Sequence, residues 1–406
     1  MSDHSEHGPE CLCDHLPHEP VRSERDEAVD EARSGLRLSR RSIMAGIGAA
    51  SGLAMTPQLA VAGGRPDQPK GRGPQRGAEL VLLGTRAGPP VDLHQVGASS
   101  ALVVDGRTYV VDCGRSSVTQ FADAGLRFDS IAGIFLTHLH ADHIADYYNF
   151  FMLGGHIKNQ NGDHIERAVP VHGPGAAGGL PPKFGGGESP TVNPADPAPG
   201  TAQMTASLHA AYAYSMNIFL RDMDVADIRT LMDVHEIALP SGTNATFEQT
   251  APRMKPFRIF RDDTVEVYAT LVPHGPVFPA YAFRFDTEYG SVTFSGDTRY
   301  SSNLVEMAHR TDLLVHEAIG VDGAGLGEAS LDHMLQSHVL IDELGPIAQE
   351  AEAKHLVVSH YADMGAEKVD THKWRRDARK GYRGRVTIGE DLDRFSLKGR
   401  RGNGRG

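Results

Sequence analysis

The sequence is poor in cysteine and lacks a long, strongly apolar run. Three Cys in 406 residues are too few for a disulfide framework. No run of about 18 or more strongly apolar residues is present, so we expect no stable membrane span. The formal net charge of -12 argues against a protein that holds nucleic acid through its overall field. With 40% hydrophobic and 23% charged residues, the composition is that of a globular protein.

The first 62 residues have the pattern of an export signal. Arg40 and Arg41 precede a weakly apolar, Ala/Gly-rich segment that ends in Ala60-Val61-Ala62, a small-x-small cleavage pattern. The paired arginines make the segment resemble a twin-arginine signal peptide. We expect the twin-arginine export machinery to carry the chain to the periplasm, the cell surface or the medium. The alternative is a disordered tail with a chance arginine pair.

The remaining chain divides into a linker at 63–77, a main domain at 78–397 and a disordered basic tail at 398–406. A helix is predicted at 336–353, and Asp105-Gly106 predicts a hairpin turn. Two strand-rich halves, each with helices, predict an α/β fold built as a layered sandwich. Short apolar runs bounded by turn residues predict the strands, at 79–84, 101–106, 108–112, 131–136, 169–172, 265–273, 279–287, 291–295, 312–316, 355–359 and 385–389.

Residues 175–260 read as an insert between the two halves. A Gly/Pro-rich loop comes first, and apolar residues at helical spacing follow over 203–236. We interpret the insert as a loop and helical cap, or lid, rather than as part of the sheets. Asn217 and Arg221 are four positions apart, hence on one helix face, and an Arg on a lid would suit an anionic substrate. The alternative for these two residues is a solvated helix face.

A histidine cluster directly follows the predicted strand at 131–136. Its members are His138, His140, Asp142 and His143. In an extended backbone His138 and His140 point to the same side, and the other two fall on the turn that follows. Imidazole and carboxylate together suit zinc or another first-row metal.

Further ligand types stand at the ends of three downstream strand-like runs, where functional side chains are often presented. These residues are His274, Asp297 in a Ser-Gly-Asp-Thr sequence, and His360 after Ser359. The sequence therefore predicts a metal site assembled from distant segments.

This series of motifs resembles the ligand series of the metallo-β-lactamase superfamily, and of its ribonuclease Z and arylsulfatase branch in particular. The resemblance covers about 78–397, apart from the insert, and implies a four-layer αββα sandwich with two divalent metal ions at one edge. Zinc is the metal that the ligand types favour, with Mn, Fe or Co as alternatives. The motifs that carry the closer resemblance are Leu83-Gly84-Thr85, Val111-Asp112-Cys113-Gly114, His172-Gly173-Pro174 and Leu313-Leu314-Val315-His316-Glu317-Ala318.

The resemblance also implies roles for individual residues. His138, His140 and His274 would hold one metal, and Asp142, His143 and His360 the second, with Asp297 bridging both. Two such metals generate a hydroxide near neutral pH, which Asp142 could steer. His338 would approach the leaving side of the substrate as a phosphate contact or general acid, and Glu317 would orient it. Members of the branch are often homodimers.

Three departures from the branch bear on the substrate. Ribonuclease Z inserts a long tRNA-gripping arm between the ligands that correspond to His274 and Asp297, which here are only 23 positions apart. Arg115 stands where the branch usually has Glu, and the chain carries the export pattern. These departures make nucleic acid an unexpected partner and favour a small anionic ester.

The leading hypothesis is therefore an exported, two-metal hydrolase of anionic esters, with phosphodiesters as the first substrate class. A sulfate ester is the next alternative, followed by ribonuclease Z activity on RNA and by lactone hydrolysis. A different class is a non-catalytic metal-binding scaffold. Such degenerate members usually lose ligands, whereas all seven ligand positions are filled here.

Overall fold

Two seven-stranded mixed sheets face each other and form the centre of the protein. The structure is a computed structural model that describes residues 76–159, 161–183, 185–223 and 225–397. The predicted signal at 1–62, nearly all of the linker at 63–77 and the tail at 398–406 lie outside the described residues. None of the helices in the described ranges is long and apolar enough to cross a membrane.

The first sheet has the strand order β14-β1-β2-β3-β4-β5-β6. Its strands are β1 (Ala78–Gly84), β2 (Ser99–Val104), β3 (Arg107–Val111), β4 (Ile131–Phe135), β5 (Val169–Gly173), β6 (Met232–Glu236) and β14 (Arg394–Leu397). The second sheet has the order β13-β12-β11-β10-β9-β8-β7. Its strands are β7 (Phe257–Arg261), β8 (Val265–Leu271), β9 (Tyr281–Thr287), β10 (Gly290–Phe294), β11 (Leu313–Gly320), β12 (His355–Asp363) and β13 (Arg385–Ile388).

Helices cover the outer faces of both sheets. The helices of the described ranges, most of which lie in these outer layers, are α1 (Ser117–Asp123), α2 (Ala141–Ile144), α3 (Tyr147–Gly154), α4 (Thr201–Ala211), α5 (Ala213–Asp222), α6 (Ser302–Met307), α7 (Glu328–Ser337), α8 (Leu344–Glu350) and α9 (Thr371–Ala378). Short 3-10 turns lie at Phe128–Ser130, Ile228–Leu231 and Ile341–Glu343.

The central strands are apolar on both faces because each sheet is covered on both sides. In β1, Leu80 and Leu82 point into the core between the sheets, whereas Val81 and Leu83 pack under the outer helices. A third apolar cluster, which contains Trp374, lies between the second sheet and its helices. The layered α/β sandwich predicted from the sequence is confirmed, with the four-layer αββα arrangement that the resemblance implies.

The predicted hairpin between β2 and β3 is also confirmed. Asp105 and Gly106 have φ values of 50° and 81°, as a type I′ turn requires. The turn pairs Val104 with Arg107 across the two strands.

Two predictions about elements are wrong. The helix expected at 336–353 is interrupted, because α7 ends at Ser337, His338 is extended and α8 begins only at Leu344. The backbone N–H of Val339 instead donates to the Glu317 carboxylate at 3.2 Å.

The second correction concerns the insert. Helices α4 and α5 belong to the outer layer of the first sheet, where the Tyr147 hydroxyl lies 2.9 Å from the Thr205 hydroxyl. Residues 232–236 form β6, paired with β5, and not a helix. Two alternate residues of β6, Met232 and Val234, pack in the outer apolar cluster. In the sequence, this short strand-like alternation lies next to a longer stretch in which apolar residues recur at helical spacing.

Candidate metal centre

Three loop segments and the strand β12 bring the candidate ligands together at one edge of the sandwich. His138 and His140 follow β4, and Asp142 and His143 lie on α2 directly after them. Other ligand types follow β8 and β10 and lie within β12; these are His274, Asp297 and His360. The parallel pairings of β10 with β11 and β11 with β12 bring strand ends of distant sequence to this edge.

The cluster contains two groups of ligand atoms that share one carboxylate. In each group the potential ligand atoms lie within 4.8 Å of one another. The first group is His138, His140, His274 and Asp297, and the second is Asp142, His143, Asp297 and His360. All seven residues that the sequence singled out as metal ligands are therefore placed together, in the two sets that the resemblance implies.

Asp297 lies between the two groups. Its Oδ1 is 3.3 Å from His143 Nε2 and 3.3 Å from His360 Nδ1. Its Oδ2 is 3.8 Å from His138 Nε2 and 3.7 Å from His274 Nε2. One carboxylate oxygen thus faces each group, as a bridging ligand must.

The ligand atoms fit divalent metal ions better than they fit one another. His143 Nε2 faces His360 Nε2 at 3.1 Å, and His274 Nε2 faces His140 Nδ1 at 3.2 Å. Among the described residues, the buried atoms His138 Nε2 and His360 Nδ1 have no hydrogen-bond partner. Buried polar atoms without partners are costly, and imidazole and carboxylate donors of this kind suit zinc.

Burial sets the charge of the histidines in the first group. Desolvation lowers the pKa of His138 well below its usual value and that of His274 to about 3. Both rings are therefore neutral near pH 7, with a lone pair free for a metal. His140 is the exposed member of the cluster and marks the side that faces solvent.

In the second group, the opposite charges of neighbouring carboxylates and imidazoles determine the directions of the pKa shifts. Burial alone would lower the pKa of His143, but Asp297 and Asp112 raise it well above the usual value. The pKa of Asp142 is lowered: burial would raise it, but the hydrogen bond from His360 and the charges of the neighbouring rings outweigh that effect. The backbone N–H of Gly88 donates to Asp142 Oδ2 at 2.9 Å and fixes the carboxylate.

Asp112 orients the cluster, a role that the sequence reasoning did not assign to it. Its Oδ2 is 2.8 Å from His143 Nδ1, and its Oδ1 accepts the backbone N–H of Thr137 at 2.7 Å. The sequence did contain an indication of this role, because Asp112 follows β3 within the Asp-Cys-Gly motif. In the same motif a Cβ on Gly114 would lie 2.4 Å from the Asp142 carbonyl oxygen, so this position requires glycine.

His338 and Glu317 form a pair beside the candidate metal ligands. Glu317 Oε1 lies 3.2 Å from His338 Nδ1 and also accepts the backbone N–H of Thr298 at 3.2 Å. Burial lowers the pKa of His338, but the Glu317 carboxylate outweighs it and the pKa rises to about 9. The ring centroid of His338 is 5.0 Å from that of His274. The pair therefore adjoins the first group.

The remaining candidates lie elsewhere. Arg221 donates to the Asn217 carbonyl oxygen within α5 at 3.1 Å, and α5 packs through Met216 against Tyr148 on the outer side of the first sheet. Arg115 donates to the carbonyl oxygens of Asp92 and Gln95 at 3.2 and 2.8 Å. Arg115 therefore holds the loop that begins near Gly88.

Comparison with solved structures decides the fold. The crystal structure of the metallo-β-lactamase fold protein YhfI from Bacillus subtilis matches with a TM-score of 0.52 and 16% identity, over 79% of this chain and 100% of that one. This protein has the metallo-β-lactamase fold. The short form of human tRNase Z matches with a TM-score of 0.51 and 18% identity, over 79% of this chain and 99% of that one.

Sequence comparison relates this metallo-β-lactamase fold to ribonuclease Z. The ribonuclease Z of Mycolicibacterium paratuberculosis is 27% identical over 324 residues, which are 79% of this chain and 98% of the relative. That of Mycobacterium avium is 28% identical over the same shares. The sequence model of the family described as anti-Pycsar protein Apyc1 matches residues 78–152. The resemblance to ribonuclease Z read from the motifs is confirmed as homology.

Proposed function

We propose that this protein is a two-metal hydrolase of small anionic esters, with phosphodiesters as its first substrate class. The observation that carries the proposal is the pair of ligand groups sharing Asp297, with His338 and Glu317 beside them. When bound, two divalent cations supply positive charge that lowers the pKa of an attacking water and offsets charge on the phosphoryl oxygens. Zinc is the metal that the donor set favours, and Mn, Fe or Co suit it as well.

Separate residues would act on the attacking water and on the leaving group. Asp142, fixed by Gly88, is placed to accept a proton from the attacking water. Glu317 engages His338 Nδ1, which leaves Nε2 as the nitrogen available to a substrate. The new bond joins the water oxygen to phosphorus, and the bond from phosphorus to the leaving oxygen breaks. His338 Nε2 donates the proton that the departing oxygen takes up.

The test is hydrolysis of bis(p-nitrophenyl) phosphate by the full chain with added zinc. Asp142→Asn keeps the shape of the side chain but removes its charge, and we expect it to lower the rate about a thousandfold or more. Asp129→Asn, a change at a half-buried surface position away from the cluster, is the matched control and should leave the rate unchanged. No metal-dependent turnover above the Asp142→Asn rate would reject the phosphodiester proposal. Turnover of p-nitrophenyl sulfate in its place would favour the sulfate ester alternative.

Cleavage of RNA is the second candidate, because the ribonuclease Z relatives match over 98% of their own length. Against it stands the short segment between His274 and Asp297, which β9 and β10 fill without room for a long arm. Incubation of the full chain with a tRNA precursor that carries a 3′ extension tests this candidate. Cleavage at the end of the tRNA body, lost in Asp142→Asn, would make RNA the substrate.

Export by the twin-arginine route is the proposal for the first 62 residues, on the strength of Arg40-Arg41 and Ala60-Val61-Ala62. Replacing both arginines by lysine should retain the full chain inside a host that has this pathway. Fractionation and immunoblotting measure the distribution. Equal export of the double variant and the unchanged chain would reject a twin-arginine signal.

A further inference from the structure

An apolar pocket opens next to the exposed ligand His140. The cavity measures about 310 Å³, and we call it the proline pocket. Part of its wall comes from the Gly/Pro-rich section of the insert and part from the loop that follows His274. Residues that line it include Leu139, Pro174, Pro181, Pro199, Phe247 and Phe278.

Contacts within the insert give the pocket a defined wall. The backbone N–H of Ala177 donates to the Ala198 carbonyl oxygen at 3.1 Å, so two separate stretches of the loop are tied together. The ring of Phe247 lies against the backbone of Gly179, where a Cβ would come within 2.5 Å of Phe247 Cε1. The absence of a side chain at Gly179 therefore leaves room for this aromatic ring at the wall.

The chemistry of the wall is almost entirely apolar. Among the described residues that line the pocket, His140 is the only one with a side chain that can ionise or form a hydrogen bond. Prolines supply no backbone N–H either. Such a wall selects by size and apolarity rather than by hydrogen bonding. It also lacks the Lys and Arg side chains that neutralise a nucleic-acid backbone.

We propose that the proline pocket receives a compact apolar substituent of the substrate, such as one aromatic ring, while the scissile phosphate lies at the metal ligands. The inference rests on the proposed function and narrows it to diesters with one ring-bearing arm. A cavity of about 150 Å³ already admits benzene, so the observed volume holds a substituted ring. The position of His140, a ligand and a pocket wall at once, sets the distance between the two parts of the substrate.

The test compares two diesters with the same leaving group, p-nitrophenyl phenyl phosphate and p-nitrophenyl methyl phosphate. We expect the full chain to prefer the phenyl ester by about tenfold or more in kcat/KM. Ala177→Leu, which places a larger side chain at the wall, should reduce that preference at least about fivefold. Val192→Ala removes an exposed side chain of the same insert outside the pocket and should leave the preference unchanged. Phe247→Ala tests the same wall should Ala177→Leu fail to fold.

A binding measurement separates this inference from the proposed function. Isothermal titration calorimetry with phenylphosphonate and methylphosphonate, on protein with and without zinc, needs no turnover. Tighter binding of phenylphosphonate, weakened by Ala177→Leu, without turnover of either diester would keep the pocket and reject the phosphodiesterase. Turnover of both diesters at equal kcat/KM, with equal binding of the two phosphonates, would overturn the pocket and keep the phosphodiesterase. Equal binding and no turnover would overturn both.

Discussion

At the scale of single residues, the candidate metal centre depends on groups that are not themselves candidate ligands. Asp112 holds His143 through Nδ1, and the Ser337 carbonyl oxygen lies 2.9 Å from His274 Nδ1. Each contact fixes a ring so that the opposite nitrogen, Nε2, faces the cluster. Partners of this kind also select the tautomer and raise the basicity of the ligand.

Asp112→Asn should therefore weaken zinc binding without removing a ligand. We expect a loss of affinity of about 10- to 100-fold, because an amide replaces the carboxylate that faces His143 Nδ1. Competition with a chromogenic zinc chelator gives the affinity. Asp129→Asn is the control, since that carboxylate pairs with Arg127 at the surface. Equal affinity of the Asp112 variant and the unchanged protein would contradict the orienting role.

His172 provides a pH-dependent prediction away from the metal ligands. The ring is stacked between Phe135 and His235, and its buried Nε2 has no hydrogen-bond partner within the part of the chain that the structure describes. Burial first, and then His235, lower its pKa from 6.5 to about 4. As the pH falls from 6.5 to 4, the unfolded chain gains a proton that the folded protein cannot accept. The free energy of unfolding should therefore decrease over this window, by up to about 3 kcal/mol.

His172→Phe should abolish that share of the acid sensitivity, because phenylalanine keeps the stacked ring and takes up no proton. Urea unfolding at pH 7.0 and pH 4.5 measures the difference for each variant. His372→Phe, at an exposed position of α9, is the control and should behave like the unchanged protein. An identical pH dependence in His172→Phe would reject the assignment.

At the scale of elements, the opening Leu-Gly-Thr motif positions the end of β12. Asp391 accepts hydrogen bonds from the backbone N–H groups of Thr85 and Val96 at 2.9 and 2.7 Å, and from the Thr85 hydroxyl at 2.8 Å. The Thr85 carbonyl oxygen in turn accepts the N–H of Tyr361 at 2.9 Å. Because Tyr361 directly follows His360, the loop that contains Asp391 is linked to the candidate ligand His360 through Thr85, the residue after β1.

Asp391→Ala should lower the free energy of unfolding by about 3 kcal/mol, since three hydrogen bonds to one carboxylate are lost and two backbone donors lose their partner. Asp393→Ala is the matched control. Asp393 lies in the same loop, and its carboxylate accepts one local bond from the Glu390 N–H. We expect about 1 kcal/mol or less for that change. Urea unfolding measures both, and equal losses would contradict the linking role of Asp391.

The elements that sequence patterns missed are mostly edge strands. In β6, β7 and β14 the pattern is short and many side chains are exposed or half-buried. Hydrophobic patterning is weak where only one face is covered. The central strands were predictable because both of their faces are buried. The break before α8 was not predictable from the sequence. It depends on the backbone N–H of Val339, which donates to Glu317, a residue distant in sequence.

At the scale of the whole molecule, we expect metal binding and folding stability to be linked. The two ligand groups draw on both sheets, so their geometry exists only in the folded chain. A ligand that binds the folded state alone, at 100 times its Kd, adds about 2.7 kcal/mol to the free energy of unfolding. Removal of bound zinc with a chelator should therefore lower Tm by about 5 °C, as measured by differential scanning calorimetry, and zinc should restore it.

The control for metal removal is Asp142→Ala combined with His360→Ala, which leaves the second group with two ligands. Its Tm should respond less to the chelator than that of the unchanged protein. An unchanged Tm on chelation of the intact protein would contradict the linkage between the cluster and the fold.

The amino-acid sequence by itself determined the central strands, the hairpin at Asp105-Gly106 and the choice of the seven candidate ligand residues. These features depend on local patterns: alternation of apolar residues, a turn dipeptide, and ligand types at strand ends. Only the tertiary structure decided that Asp297 faces both ligand groups, that Asp112 orients His143, and that the insert contributes a strand and an apolar wall beside His140. The physical reason is that these contacts join residues far apart in the chain, and their distances are set by how the two sheets and the insert pack.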